Sequence, residues 1–338
     1  MNKSFFASLT VSLFILASFL TGCALPQNQA VTNPGETTQN EAVTINVAGL
    51  KGPTTIGILH MTDRDKAESS EVKYNYSMYV SADEILPKVV SGEVDIALIP
   101  ANAASILYNK TKGAVSVIDI NTLGVLYAVS YDDSIKTISD LAGRKILLTG
   151  KGTIPDATIR FLLEENGIEN AELEFKSEPS EVAAILKEDE SVVGILPQPF
   201  ATTLCAQDER IKTVLSLSDE WDSLNNGSRM ITGVTIVRRE FAEQYPEAVA
   251  KFLEDHKESA ALAISEQEKT AQLIAQAGII PDANLARKAI DGCNITYIDG
   301  DELQTALSGY LQALYGFDAS LVGGTLPEDD FYYAYSEK

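Results

Sequence analysis

Three short stretches carry side chains able to do chemistry. Leu16 to Gln27 sets Cys23 directly after a long apolar run, where a thiol can be acylated and tether the chain to a membrane. Gly150-Lys151-Gly152-Thr153 offers amides, an ammonium and a hydroxyl to a phosphate. A P-loop, however, needs Gly-x-x-x-x-Gly-Lys-Ser/Thr, and a dinucleotide fingerprint needs a third glycine where Pro155 stands, so neither fits. His60, Met61 and Asp63 lie close together, but the sequence divides them between a helix face and solvent. With His60 and His256 the only histidines, a histidine-rich zinc or manganese site is not expected. No Ser-His-Asp set can be argued. The chain is therefore expected to have no catalytic residues, no metal and no cofactor.

Cys23 admits three readings: a transmembrane helix, a cleaved secretory signal, or a signal whose cysteine becomes a lipid anchor. Phe5 to Gly22 is uncharged and preceded by Lys3, and a span needs about 20 apolar residues, so length leaves the first reading open. The flanks decide. Ala17, Ser18, Thr21 and Gly22 cluster as at a cleavage site, and no basic stop-transfer group follows. Leu20-Thr21-Gly22-Cys23 resembles the bacterial lipobox. That resemblance implies cleavage after residue 22, acylation of Cys23 and anchoring in the bacterial cell membrane, which two or more acyl chains make stable. Residues 23–42 are polar and rich in turn formers, the composition of a flexible tether. About 295 residues remain to fold, enough for one large or two medium domains.

A net charge of −22 argues against nucleic acid, whose phosphates call for Lys and Arg. It does not by itself make the ligand a cation. Besides Cys23 there are only Cys205 and Cys293, read as buried small hydrophobes with a disulfide left open.

From Val43 onward, short β-branched runs alternate with amphipathic helical stretches, the pattern of an α/β protein. Strands are expected at Thr44–Ala48, Val72–Val80, Val94–Ile99, Val115–Ile120 and Gly124–Ser130. A second series follows at Lys145–Thr149, Leu173–Phe175, Val192–Leu196 and Val214–Leu217, then a strong strand at Met230–Val237. From Arg239 the chain is mainly helical, with a short Ile295–Ile298 run. Val94–Pro100 and Val192–Pro197 correspond: each is an apolar strand closed by proline before a new helix. In open α/β sheets ligands collect beyond the carboxyl ends of strands, which these prolines mark. Tyr74 and Tyr76 share one face of their strand and Tyr79 takes the other.

The order of segments resembles the substrate-binding proteins of ABC importers of the nitrate/taurine/sulfonate/thiamine-pyrimidine (NMT1/THI5-like) type. The residues that carry the resemblance are Gly49 to Thr55, Leu86 to Ala97, Ile138 to Ile146, and Gln198-Pro199-Phe200-Ala201, with Gln where Glu is common. It implies a bilobal α/β periplasmic-binding-protein-like (type II) fold, two lobes joined by a two-segment hinge. Lobe one maps to 43–130 plus 229–338 and lobe two to 131–228, with crossings near Tyr127 to Asp132 and Ser228 to Thr232. It further implies an extracytoplasmic, monomeric, lipid-anchored protein that passes a small molecule to an ABC permease, and it implies no enzyme.

On this topology the ligand-binding candidates are Gly52, Thr54, Thr55 and Asn102 in lobe one, and Gly152, Thr153, Gln198 and Phe200 in lobe two. Helix capping competes with ligand contact for the hydroxyls and the amide, and core packing competes for Phe200. Lys51 and Lys151 without an arginine pair do not suit a strongly anionic ligand held by bidentate forks. A small sulfonate, a carboxylate or a neutral heterocycle remains. The rivals are an enzyme of the same fold, of thiamine-pyrimidine or menaquinone-pathway type, and a lipid-anchored ligand sensor. The thiamine-pyrimidine synthases depend on a cysteine-rich iron motif that this chain does not supply.

Overall fold

The computed structural model describes residues 43–65 and 72–334. In chain order the first segment gives β1 (Val43–Leu50), α1 (Pro53–Ile56), α2 (Leu59–Asp65), β2 (Val72–Tyr79) and α3 (Ala82–Ser91). β3 (Ile96–Pro100), α4 (Ala101–Thr111) and β4 (Val115–Leu123) complete it. The middle segment gives β5 (Leu126–Ser130), β6 (Lys145–Thr149), α5 (Ile154–Glu165), β7 (Glu172–Lys176) and α6 (Pro179–Glu188). It continues with β8 (Val193–Pro197), α7 (Phe200–Gln207), β9 (Lys212–Ser216) and α8 (Leu217–Asp222). The return segment gives β10 (Ile231–Arg238), α9 (Arg239–Gln244), α10 (Pro246–Ser265) and α11 (Gln267–Gln276). It ends with α12 (Ala283–Ala289), β11 (Ile295–Ile298) and α13 (Gly300–Phe317).

These elements build two sheets, ordered β11-β4-β10-β3-β1-β2 and β7-β6-β8-β5-β9. The two share one grammar. β1 pairs in parallel with β2 and β3, and β10 lies antiparallel between β3 and β4. In the second sheet β6 pairs in parallel with β7 and β8, and β5 lies antiparallel between β8 and β9. Each sheet thus takes one strand from just after a chain crossing. The likeness of the two proline-terminated strands is part of this repeat: β3 and β8 occupy the same place, and Pro100 and Pro197 close them. Both are almost wholly buried, as strands covered on two faces must be.

The bilobal α/β expectation is met, with one shift in boundary. Leu126–Ser130 belongs to the second sheet, so the first crossing is Gly124–Val125 rather than Tyr127 to Asp132. The second is the stretch between Asp222 and Ile231. The crossings touch: a Cβ at Gly124 would lie 2.6 Å from Met230 Sδ and 3.1 Å from Ser218 Cβ, so any larger residue there has to displace Met230.

One apolar cluster runs through both lobes, from Ala48 and Ile99 to Leu148, Trp221 and Tyr310. Trp221 is its keystone: its ring lies 4.4 Å from Phe161 and 5.5 Å from Tyr310, and its indole N–H donates to Ser228 Oγ at 2.8 Å. Tyr74 and Tyr76 pack together at 5.7 Å on one side of the first sheet, and Tyr79 packs on the other. Cys205 and Cys293 are free thiols in different clusters. Burial pushes the Cys293 thiol up to about 12.

Candidate functional site

The eight candidate residues follow the carboxyl ends of β1, β3, β6 and β8, and the structure divides them by what their polar atoms already do. Thr55 is buried and its hydroxyl donates to the Leu50 carbonyl at 2.6 Å, so it secures the turn between β1 and α1. Thr153 is exposed and its hydroxyl donates to the Gly150 carbonyl at 2.6 Å, holding its own loop. Neither hydroxyl caps its helix; each holds the turn that precedes it. Gly152 is exposed, at φ +73°, and its N–H donates to Asp156 Oδ2 at 2.9 Å. Phe200 is half-buried against the second lobe's core.

Thr54 differs. Its side chain is 5 % exposed, and its hydroxyl, among the described residues, has no hydrogen-bond partner. A buried hydroxyl without a partner costs free energy, and among the eight candidates this is the buried side-chain atom left without one. Gly52 before it leaves open space where a Cβ would stand. Asn102 is half-buried in the first turn of α4, just past Pro100. Gln198 is 7 % exposed; its N–H donates to the Val125 carbonyl at 2.9 Å, and its side chain rests against Gly292 of the first lobe. Beside it the Tyr127 hydroxyl donates to the Gly292 carbonyl at 2.9 Å, and burial pushes that phenol up to about 12.

Behind Thr54 lies a polar chain that sequence reasoning did not find. A Cβ on Gly233 would come within 2.5 Å of both Thr54 Cγ2 and Asn121 Oδ1, so these side chains meet over this glycine, where the β4–β10 register slips. Asn121 Nδ2 donates to Thr235 Oγ1 at 3.1 Å, and Thr122 Oγ1 donates to Asn121 Oδ1 at 2.9 Å. Thr235 donates to Asp119 Oδ1 at 2.7 Å, and His256 Nδ1 lies 3.0 Å from Asp119 Oδ2. Asp119, Thr235 and His256 have no exposed surface. One signal was readable: Asp119 and Asn121 alternate with Ile118 and Ile120 along the strand, which by spacing sets both on one face.

Charge at the second-lobe end is already balanced. Asp156 is 3 % exposed, sits in the first turn of α5, and pairs with Arg160 Nε at 2.6 Å. Its carboxylate takes the Gly152 N–H that an incoming anion would use. Lys151 lies 5.8 Å over the Phe175 ring. His60 Nε2 is 2.8 Å from Thr270 Oγ1, Met61 is core, and Asp63 faces Lys269 at 3.5 Å, so these three side chains do separate. Cys23, the 1–22 signal and the 23–42 tether lie outside the described residues.

This geometry defines a two-lobed α/β fold of the binding-protein type. A crystal structure of an ABC transporter from Parabacteroides distasonis is similar at TM-score 0.72 and 23% identity, over 87% of this chain and 100% of that one. The periplasmic aliphatic sulphonate binding protein SsuA from Escherichia coli is similar at 0.68 and 14%, covering 87% and 93%. The alkanesulfonate-binding protein SsuA from Xanthomonas axonopodis pv. citri bound to MOPS follows at 0.57 and 11%, covering 85% and 96%. The chain belongs to the menaquinone biosynthesis family, whose model matches residues 79–314. A search of curated proteins gives no match. Among the described residues no helix is long and apolar enough to cross a membrane.

Proposed function

We propose that this protein is a solute-binding lipoprotein, tethered outside the cytoplasm through acylated Cys23, which closes two lobes around a small organic molecule and passes it to an ABC permease. The observation that carries the reading is the unpartnered, buried Thr54 hydroxyl just past the end of β1, within a fold similar over 86% of the chain to a ligand binding component of an ABC-type import system. Thr54, Asn102 and Gln198 are the contacts we assign to the ligand, with Gly52, Gly152 and Phe200 forming surface around it. Thr55 and Thr153 hold their turns. Hinge bending about the two crossings supplies closure. The protein acts as a monomer with no cofactor.

Of the ligand classes open from sequence, a neutral heterocycle fits best. An anion at the α5 N-terminus would have to displace Asp156 from Gly152 and lie beside its charge. A thermal-shift panel on the full chain, comparing small sulfonates, carboxylates and neutral pyrimidines, tests this. A ligand of the folded state adds about 2.7 kcal/mol of stability at 100 times its Kd. The reading requires Thr54→Val combined with Asn102→Ala to abolish that shift, and an undiminished shift would sink it.

The family name favours one second reading, an enzyme of the menaquinone pathway on the same fold. Incubation followed by mass spectrometry of the released molecule separates the two. A binding protein returns its ligand unchanged, whereas an enzyme returns a product.

A further inference from the structure

We infer that the first lobe carries a second small-molecule site, back to back with the candidate site and suited to an uncharged molecule bearing an apolar ring. A cavity of about 330 Å³ opens between the ends of β1 and β2 and the helices α2 and α11. Its walls include Val47, Ile58, Leu59, Met78, Leu273 and Ala277. Protein interiors hold few voids larger than a water molecule, and ligand pockets of roughly 300–1,000 Å³ are mostly apolar with a few polar groups. This cavity has that size and lining. A cavity of about 150 Å³ holds benzene, so roughly twice that volume admits a bicyclic ring.

Thr62 and Asp63 on its wall already have partners, and Ser77 and Gln276 are exposed to solvent. Thr62 Oγ1 donates to the Leu59 carbonyl at 2.9 Å, and Asp63 lies 3.5 Å from Lys269 Nζ. The site therefore makes no strong demand for hydrogen bonds, unlike Thr54. The Asp63 carboxylate on its wall, in a chain of net charge −22, disfavours an anionic ring. Thr55 separates the two sites: its side chain lines this cavity while Thr54, one residue earlier, faces Gly233 and Asn121. The short helix α1 is thus a shared wall.

Equilibrium dialysis of the full chain against radiolabelled indole tests the site. The expected result is one saturable indole per chain, with indole-3-carboxylate at least tenfold weaker. Ala277→Phe, which places a ring in the cavity, should weaken indole at least tenfold under the same conditions. Thr54→Val should leave indole binding unchanged. Should Ala277→Phe fail to fold, Met78→Trp, a half-buried residue on edge strand β2, serves in its place. Binding that survives both filling variants, binding abolished by Thr54→Val, or no saturation above the filled variant would overturn the assignment.

Discussion

Replacing Thr235 by valine removes a single oxygen and keeps the shape, and it should be among the more costly changes in the first lobe. That oxygen does two jobs: it donates to Asp119 Oδ1 at 2.7 Å and accepts from Asn121 Nδ2 at 3.1 Å. All three side chains are within about 1 % of full burial, so water does not replace what is lost. A buried group left without its partner costs about 1–3 kcal/mol, more when charged. The methyl that replaces the hydroxyl adds no volume to lodge. The sum is about 3 kcal/mol, since the Asp119 carboxylate retains His256 Nδ1 on its other oxygen. At a urea slope of about 3 kcal/mol/M the midpoint falls by about 1 M. Trp221 is the only tryptophan, fully buried between the lobes, so its emission follows the transition. Thr235→Ser keeps the hydroxyl and should lose less than half as much. A valine variant within 0.5 kcal/mol of the parent, a margin typical of surface substitutions, would show that the chain of hydrogen bonds does not stabilise the β4–β10 seam.

Asp95 is 5 % exposed, pairs with Arg238 at 2.9 Å, and accepts both the backbone and the side-chain N–H of Asn46; Asp95→Ala should cost about 1–3 kcal/mol in urea melts, because Asn46 loses its acceptor while Arg238 keeps Glu240 at 2.8 Å. Gly233→Ala should abolish ligand-induced thermal shifts, because the new methyl displaces Thr54 or Asn121; a preserved shift would detach this seam from the site. Burial and Lys269 hold the His60 imidazole below its usual value of 6.5, so the unfolded chain takes up that proton first on acidification. Stability from this group is full above pH about 6.5 and falls as pH drops through that value toward the folded pKa. His60→Gln should flatten the stability profile below pH about 6.5, and an unchanged slope would assign the acid loss elsewhere.

What the sequence made legible was local. Apolar β-branched runs bounded by glycine and proline marked nearly every strand, and Pro100 and Pro197 marked two ends to within a residue. The lobe boundary was read a few residues late because Leu126–Ser130 is a good strand for either sheet; only its pairing with β8 and β9 decides. Helix α8 was missed, since Leu-Ser-Asp-Glu-Trp-Asp offers little apolar periodicity and is held instead by Ser216 accepting from the Asp219 N–H and by Trp221 in the core. The His256–Asp119–Thr235 chain joins residues more than a hundred positions apart, which no spacing rule reaches. For the candidate site, strand ends supplied the positions considered. They could not say which hydroxyls were spent on their own turns, and that accounting singles out Thr54 from Thr55 and Thr153.

The two sets of contacts between the lobes are unequal, and the inequality bears on how the molecule can open. Near the first crossing, Tyr127 makes one hydrogen bond to Gly292, and the Gln198 side chain rests on the same glycine. At the second, Trp221 and Tyr310 are fully buried in a continuous core with Phe161, and Gly309 admits Ser228 so closely that a Cβ there would lie 2.7 Å from Ser228 Cβ. Pulling the first set apart forfeits a hydrogen bond, a net loss of about 1 kcal/mol, together with the packing of α7 on α12. Breaking the second exposes two large aromatic rings, each burying about 150–250 Å², at about 25 cal/mol per Å². Full exposure would come to roughly 8–12 kcal/mol, an upper bound because Trp221 keeps Phe161 of its own lobe, yet comparable with the whole stability of a domain. A hinge in this protein therefore has to turn about the Trp221 side while the Gly292 side parts, which makes Gln198 the candidate ligand contact whose surroundings change most between open and closed forms.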